Sequence, residues 1–239
     1  MDRRALLLGP LPAAVLAGCG VSSVAQTESD ETVPGDSQDA QSSAADAVDV
    51  EEFVPETPPG EAITVPLSLY LVHDASDPEG SPLSSQRTTD GLTVIANDMG
   101  GVWSQANVVF DPIAIETVQM PRDVLEAIAL GLDTGPFFNQ IGSTFDIPNP
   151  SAVNGFYVRA AGRANGFAPS GSRVFFVIDE PSVHDERVSS HEVGHIFGLH
   201  HQLEDPGTLM FSGTNGTVIS EVEQTVARYT AEGVLNGAR

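Results

Sequence analysis

His191 and His195 stand four residues apart in the run His191-Glu192-Val193-Gly194-His195. On a helix that spacing puts both imidazoles on one face, with Cβ atoms about 5–6 Å apart, within reach of a single metal ion. Zinc in catalytic sites takes three protein ligands and keeps a fourth position for water, whose pKa it lowers to about 7. Glu192 lies one step round the helix from His191, where a carboxylate can accept a proton from that water and pass it to a leaving amine. A third ligand is close by in sequence. Gly198 follows His195 by three residues, and His201 follows Gly198 by three. Glycine takes a positive φ readily, so position 198 can end the helix and turn the chain back toward the metal. The expected site is one zinc ion on His191, His195 and His201, with Glu192 as general base.

The full pattern His-Glu-x-x-His-x-x-Gly-x-x-His resembles the signature of the metzincin metallopeptidases. Downstream, Gly207-Thr208-Leu209-Met210-Phe211-Ser212-Gly213 places a methionine nine residues after His201. Metzincins carry a methionine in a tight turn beneath the metal, so the resemblance implies that Met210 supports the imidazoles by packing, not by coordination. The short connector is similar to that of the matrixin-like branch and related bacterial enzymes. Residue 202 is Gln, where matrixins usually have Ser, adamalysins Asp and astacins Glu. No Tyr follows Met210 at the spacing astacins and serralysins use, so the subfamily stays open.

The resemblance implies a zinc-dependent endopeptidase that hydrolyses peptide bonds of a peptide or protein substrate. It also implies that residues 165–168 form the edge strand to which an extended peptide adds. The segment after Met210 would wall the pocket for the side chain following the scissile bond. Two other readings of the residues remain: a non-catalytic, zinc-containing surface lipoprotein, and an amidohydrolase acting on a non-protein substrate. An intact Glu192 argues against a purely structural zinc.

The elements that must position these residues are readable from periodicity. Residues 63–72 alternate apolar with smaller or polar side chains, a strand pattern with Pro66 inside it. Leu92, Ile95, Ala96, Met99 and Trp103 recur at helical spacing within residues 84–103, and Trp103 is expected as a core anchor. Residues 107–119 read as a second strand, bent or bulged at Asp111-Pro112. Residues 121–130 read as a short helix that starts at Pro121 and stops at Gly131. A Gly- and Pro-containing loop is expected over 133–152. Residues 153–160 and 173–178 read as further strands, the latter central because its run is almost wholly apolar, with 165–168 as a short edge strand. Helices are expected over 186–197 and 220–229, the last with Ser220 as N-cap and Glu223 three residues on. The fold class is α/β (α+β), one twisted sheet with helices packed on it. For this class the resemblance implies a mixed sheet, an active-site helix, a Met-turn and a small C-terminal subdomain.

The N-terminus reads as a leader. Arg3 and Arg4 precede an apolar stretch over residues 5–17, the charged and hydrophobic parts of a secretory signal. Leu16-Ala17-Gly18-Cys19 resembles the bacterial lipobox, in which the cysteine is lipidated. Residues 1–19 are therefore expected to be a lipoprotein signal, residues 20–60 an acidic disordered tether, and residues 61–239 the catalytic domain. This implies a domain lipid-anchored at Cys19 to the outer face of a membrane. With Cys19 the single cysteine, no disulfide can form within the chain. Asp and Glu number 33 against 10 basic residues, all Arg, a net charge of −23, which excludes nucleic acid as a natural partner.

Other candidates are given lesser roles. His200 breaks the ligand spacing and is expected exposed or behind the site. His73 and His184 have no metal-spaced partners. Asp74, Asp77, Glu79 and Gly80 are expected to form an exposed acidic turn, with Ca2+ lacking the positional pattern of a known loop. Asp179-Glu180 and Asp185-Glu186 are expected to flank helix starts.

Overall fold

The alternation that begins at Ile63 builds β1 (Ile63–Asp74), the backbone of the sheet. The protein's computed structural model describes residues 60–131 and 147–235. The signal, Cys19, the tether up to residue 59 and residues 133–146 of the expected loop lie outside the described residues. After β1 come α1 (Thr89–Trp103), a 3-10 turn (Ser104–Ala106), β2 (Val108–Met120) and α2 (Arg122–Leu130). They are followed by β3 (Val153–Val158), β4 (Gly166–Phe167), β5 (Val174–Ile178), α3 (Asp185–Ile196) and α4 (Glu221–Leu235).

The five strands run in the order β2-β1-β3-β5-β4. β2, β1, β3 and β5 are parallel, and β4 closes one edge antiparallel to β5. This is the mixed sheet expected from the sequence. β5 is an interior strand, as its apolar run requires, and β4 is the short edge strand. The β1–β2 register slips between Leu67 and Ser68, which pair with Pro112 and Ala114 and leave Ile113 as the extra residue. The bulge falls where Asp111-Pro112 foretold it, since proline cannot donate to the ladder. Pro66 is tolerated because it precedes the first β1–β3 pair, Leu67 with Val153.

Both faces of the sheet are covered. Ile63, Val65, Leu67, Leu69 and Leu71 point to one face and share a core with α1, α3 and Ala227 and Ala231 of α4. Tyr70 and Val72 point to the other, where Val124, Leu125 and Ile128 of α2 pack with Phe156, Phe167 and Phe176. α1 buries Leu92, Ile95, Ala96, Met99, Val102 and Trp103. It starts at Thr89, capped by Thr88, and not at 84, because Ser85 and Gln86 are engaged elsewhere. α2 stops at Gly131 with φ 61°. α4 runs six residues past Tyr229, and Ser220 and Glu223 cap it reciprocally: Ser220 N donates to Glu223 Oε2 at 2.9 Å and Glu223 N to Ser220 Oγ at 3.3 Å.

Two acidic expectations are corrected. Asp74 does not belong to an exposed turn; it is fully buried, with Ser76 and Ser81 hydroxyls donating to its two oxygens at 2.6 and 2.7 Å and Arg122 at 2.7 Å. Asp179 flanks no helix start. It ends up buried, accepting from Ser85 Oγ at 2.6 Å and Gln86 N at 2.7 Å, with Arg87 and Arg159 beside it. Asp179 is satisfied by donors brought from far along the chain, whereas Asp74 is satisfied by the hydroxyls of the nearby Ser76 and Ser81 together with the distant Arg122. Asp185 and Glu186 do occupy the first turn of α3.

Candidate metal centre

α3 carries the chemistry and is held at both ends. At its start, Asp185 and Glu186 meet the positive end of the helix dipole. Arg87 grips the Asp185 carboxylate with two donors, at 2.7 and 2.8 Å. Residues Arg187 to Gly194 are all buried. Phe197, just past the helix, meets Trp103 of α1 edge-on, with ring centroids 5.1 Å apart, so Trp103 is the expected core anchor.

The C-terminal end makes the site possible. Gly198 takes φ 85°. Its N–H bonds to His195 O at 3.1 Å, and Leu199 N bonds to Gly194 O at 2.9 Å. These two bonds form a Schellman closure, which reverses the chain. The reversal brings His201 back onto the face of α3 that presents His191 and His195.

The three imidazoles converge. His201 Nε2 lies 3.1 Å from His191 Nε2 and 3.2 Å from His195 Nε2. One ligand atom from each of the three lies within 4.8 Å of the others. Three nitrogens around a tetrahedral zinc, each at 2.0–2.1 Å, stand about 3.3 Å apart, close to the distances found here. The other ring nitrogens fix the tautomers. His191 Nδ1 faces Leu209 O at 2.7 Å and His195 Nδ1 faces Leu199 O at 2.9 Å. A carbonyl oxygen only accepts, so each Nδ1 carries the proton and each Nε2 presents its lone pair. Burial lowers all three histidine pKa values, that of His191 to about 3. Neutral imidazoles with lone pairs aimed at one point suit a cation between them. The donor set, three nitrogens, suits zinc.

Glu192 is 1% exposed, and its Oε2 has no hydrogen-bond partner among the described residues. Burial raises its pKa to about 8, against the pull of the Arg187 charge. An unpartnered carboxylate at that depth is costly unless a proton or a cation accompanies it. Gly166 of β4 presses on it: a Cβ there would come within 3.0 Å of Glu192 Cγ and 2.8 Å of Phe176 O. The edge strand therefore runs directly against the candidate base.

Met210 is fully buried in the turn from Thr208 to Phe211, closed by Phe211 N to Thr208 O at 3.3 Å. A Cβ on Gly194 would lie 2.6 Å from Met210 Sδ, so the helix admits the methionine only because position 194 has no side chain. Met210 thus packs against α3 at Gly194, one residue before His195. His200 is exposed, His73 half-buried within β1, and exposed His184 lies 3.5 Å from Glu186; none joins the triad. Cys19 is outside the described residues. Sequence reasoning missed Arg187, Gly194 and Gly166. Arg187, His191 and Gly194 fall at i, i+4 and i+7, a single helical face, and that spacing was the available signal.

No protein-family model matches the chain, and no curated protein matches it. Among solved structures, it is similar to metalloproteinase-II from Bacteroides fragilis, at 10% identity and TM-score 0.47 over 72% of this chain. It covers 55% of that protein's chain, about half its length. It is also similar to archaemetzincin from Methanopyrus kandleri, at 14% identity and TM-score 0.48 over 74% of this chain and 99% of the other. Similarity at this level transfers no chemistry from those proteins to this one.

Proposed function

We propose that the protein is a zinc-dependent endopeptidase of the metzincin kind, with His191, His195 and His201 as ligands and Glu192 as general base. The observation that carries the reading is the convergence of three neutral Nε2 atoms next in the chain to a buried carboxylate that has no partner for one oxygen. A purely structural metal needs no such carboxylate.

Zinc, when bound, supplies Lewis-acid activation of water and of the scissile carbonyl. The remaining work falls to this chain's side chains. Glu192 takes the proton of the attacking water on a carboxylate oxygen and later delivers it to the leaving amine. Leu209 O and Leu199 O keep the His191 and His195 rings from rotating. Met210 fills the space beneath the helix. An extended peptide adds beside β4, the antiparallel edge strand, which brings its backbone past Glu192 through the glycine at 166.

The setting belongs to the same proposal: a domain anchored by lipid at Cys19 and held off the membrane by the acidic residues 20–60. Labelling of the wild-type chain by a palmitate analogue, abolished in Cys19→Ser, is the result this setting requires.

The central test pairs zinc stoichiometry with hydrolysis of a mixed peptide library by the full chain. One zinc per chain and cleavage lost in Glu192→Ala are expected. A Glu192→Ala protein as active as wild type sinks the mechanism. Hydrolysis of non-peptide amides but not of the library transfers the site to an amidohydrolase.

A further inference from the structure

Arg187 sits in the first turn of α3 and is only 2% exposed, a rare depth for a guanidinium. Its Nη2 donates to Leu209 O at 2.8 Å and to Phe211 O, and its Nε lies 3.4 Å from Gly216 O. Leu209 and Phe211 flank Met210 on either side, so one guanidinium holds both shoulders of the turn. The Leu209 oxygen also receives the Nδ1 proton of His191, at 2.7 Å. A carbonyl oxygen has two lone pairs and takes both donors.

These contacts form a single stripe. Arg187, His191 and Gly194 follow one another on one face of α3. Each meets the same turn: Arg187 through two carbonyls, His191 through one of those two, and Gly194 by giving room to Met210 Sδ. Backbone bonds also tie the turn, from Leu209 N to Val218 O at 2.8 Å and from Gln202 N to Met210 O at 2.9 Å, but Arg187 is the side chain of α3 that reaches the carbonyls on both sides of Met210.

We propose that Arg187 is a positioning residue for the metal site: it holds the Leu209 carbonyl where that oxygen captures the Nδ1 proton of His191, and so sets the tautomer and ring angle that aim His191 Nε2 at the triad. The proposal rests on the reading of the triad as a metal site. Arginine suits the task and lysine does not. Its planar group meets both turn carbonyls with Nη2 and Gly216 O with Nε in one fixed geometry, whereas an ammonium group on a flexible stem fixes none of them.

The test uses the full chain with Arg187→Met and Arg187→Lys. Zinc affinity is measured by competition with a chromophoric chelator. The protonated ring nitrogen of His191 is read in the metal-free protein from long-range nitrogen–proton NMR correlations. Wild type should show His191 protonated at Nδ1. Arg187→Met should show a mixture of tautomers and a zinc Kd raised about 10- to 100-fold, the usual consequence of losing a residue that orients a ligand. Arg187→Lys should fall between, and it carries both readouts if Arg187→Met does not fold. Unchanged tautomer and unchanged zinc Kd in these variants, even with a lowered Tm, overturn the proposal and leave Arg187 merely structural. The two kinds of failure are distinct. A wild type that binds no zinc, or a His191→Ala protein that binds it equally well, overturns the metal reading and the proposal together. Unchanged variants of a zinc-binding wild type overturn the proposal alone.

Discussion

Two polar clusters lie in the interior on either side of the start of α3, and they are built in opposite ways. Around Asp179 and Asp185, the carboxylates and their cations meet: Arg87 bridges the two, Ser85 and Gln86 complete Asp179, and the Arg87 guanidinium stacks 5.4 Å over the Tyr157 ring. Around the histidine triad, His201 Nε2 meets the Nε2 atoms of His191 and His195 at 3.1 and 3.2 Å, and Glu192 Oε2 has no hydrogen-bond partner among the described residues. In the first cluster all four carboxylate oxygens have donors, and Arg87 Nε alone is left 3.6 Å from its nearest acidic oxygen. The second leaves Glu192 Oε2 without a donor, at a depth where that is unfavourable. The contrast separates a structural cluster from a site: the same residue types do opposite work according to whether their partners are already inside the fold.

The largest expected effect tests the incomplete cluster. Glu192→Gln should lower kcat on a cleaved peptide by about 10²- to 10⁴-fold, the usual range for a general base. It should leave Tm equal or higher, because an amide is less costly to bury than a carboxylate. A fall in Tm with activity retained would reverse the assignment of the two clusters. Next comes the complete cluster. Arg87→Met takes one cation from Asp179, which keeps Ser85, Gln86 and Arg159, and the cation from half-exposed Asp185, and should cost about 1–3 kcal/mol in chemical denaturation. The folded fraction should still bind one zinc, as stoichiometry on native protein will show.

The two clusters also predict different responses to pH. In the metal-free protein, Glu192 keeps its proton up to about pH 8 because of burial, while in the unfolded chain it loses it near the ordinary value of about 4.3. The folded state thus binds more protons over that range, and stability falls as pH rises through it. The triad histidines act in the opposite sense, but only below their ordinary value of about 6.5, since burial lowers their folded pKa values. Between about pH 6.5 and 8, then, thermal melts of chelator-treated wild type should decline relative to those of Glu192→Gln. Asp74 shows the behaviour of a satisfied carboxylate: hydrogen bonds led by the Ser76 hydroxyl hold it at about 2. Its contribution is present above the ordinary aspartate range and is lost as pH falls toward 2, a slope that Asp74→Asn should remove. The smallest effect is Ser85→Ala, which withdraws one donor from Asp179 and should cost about 1–2 kcal/mol with no change in zinc affinity.

Much of this was readable in the residues, for reasons that differ by position. Strands and helices followed from periodicity, because burial of one face leaves a period in the chain. Gly198 and the Asp111-Pro112 bulge were legible because backbone geometry is dictated locally. The ligand set was legible because a helix brings residues four apart together. Asp179 was misjudged because its donors come from the fold: Ser85 lies 94 residues from it in the chain. Asp74 was misjudged for another reason: its hydroxyl donors, Ser76 and Ser81, are local, but the burial of the carboxylate and the distant Arg122 come from the fold. Local sequence shows that a carboxylate is there and not what will meet it. The late start of α1 has the same origin, since Ser85, Gln86 and Arg87 are drawn to Asp179 and Asp185. α4 was foreseen too short because its inward residues include Ala227 and Ala231, small side chains that give a weak periodic signal.

The Schellman reversal at Gly198 has a kinetic consequence. It fixes the third ligand by backbone hydrogen bonds formed during folding, and two of the rings are already locked by carbonyls of the returning chain and the turn. Ordering of the site thus precedes the arrival of the ion. Capture of zinc should be limited by the shedding of its hydration water and not by any search of the chain. On the proposed reading, the triad is a preformed receptor: a metal bound there would change the chemistry of one point and require no rearrangement of the ligands.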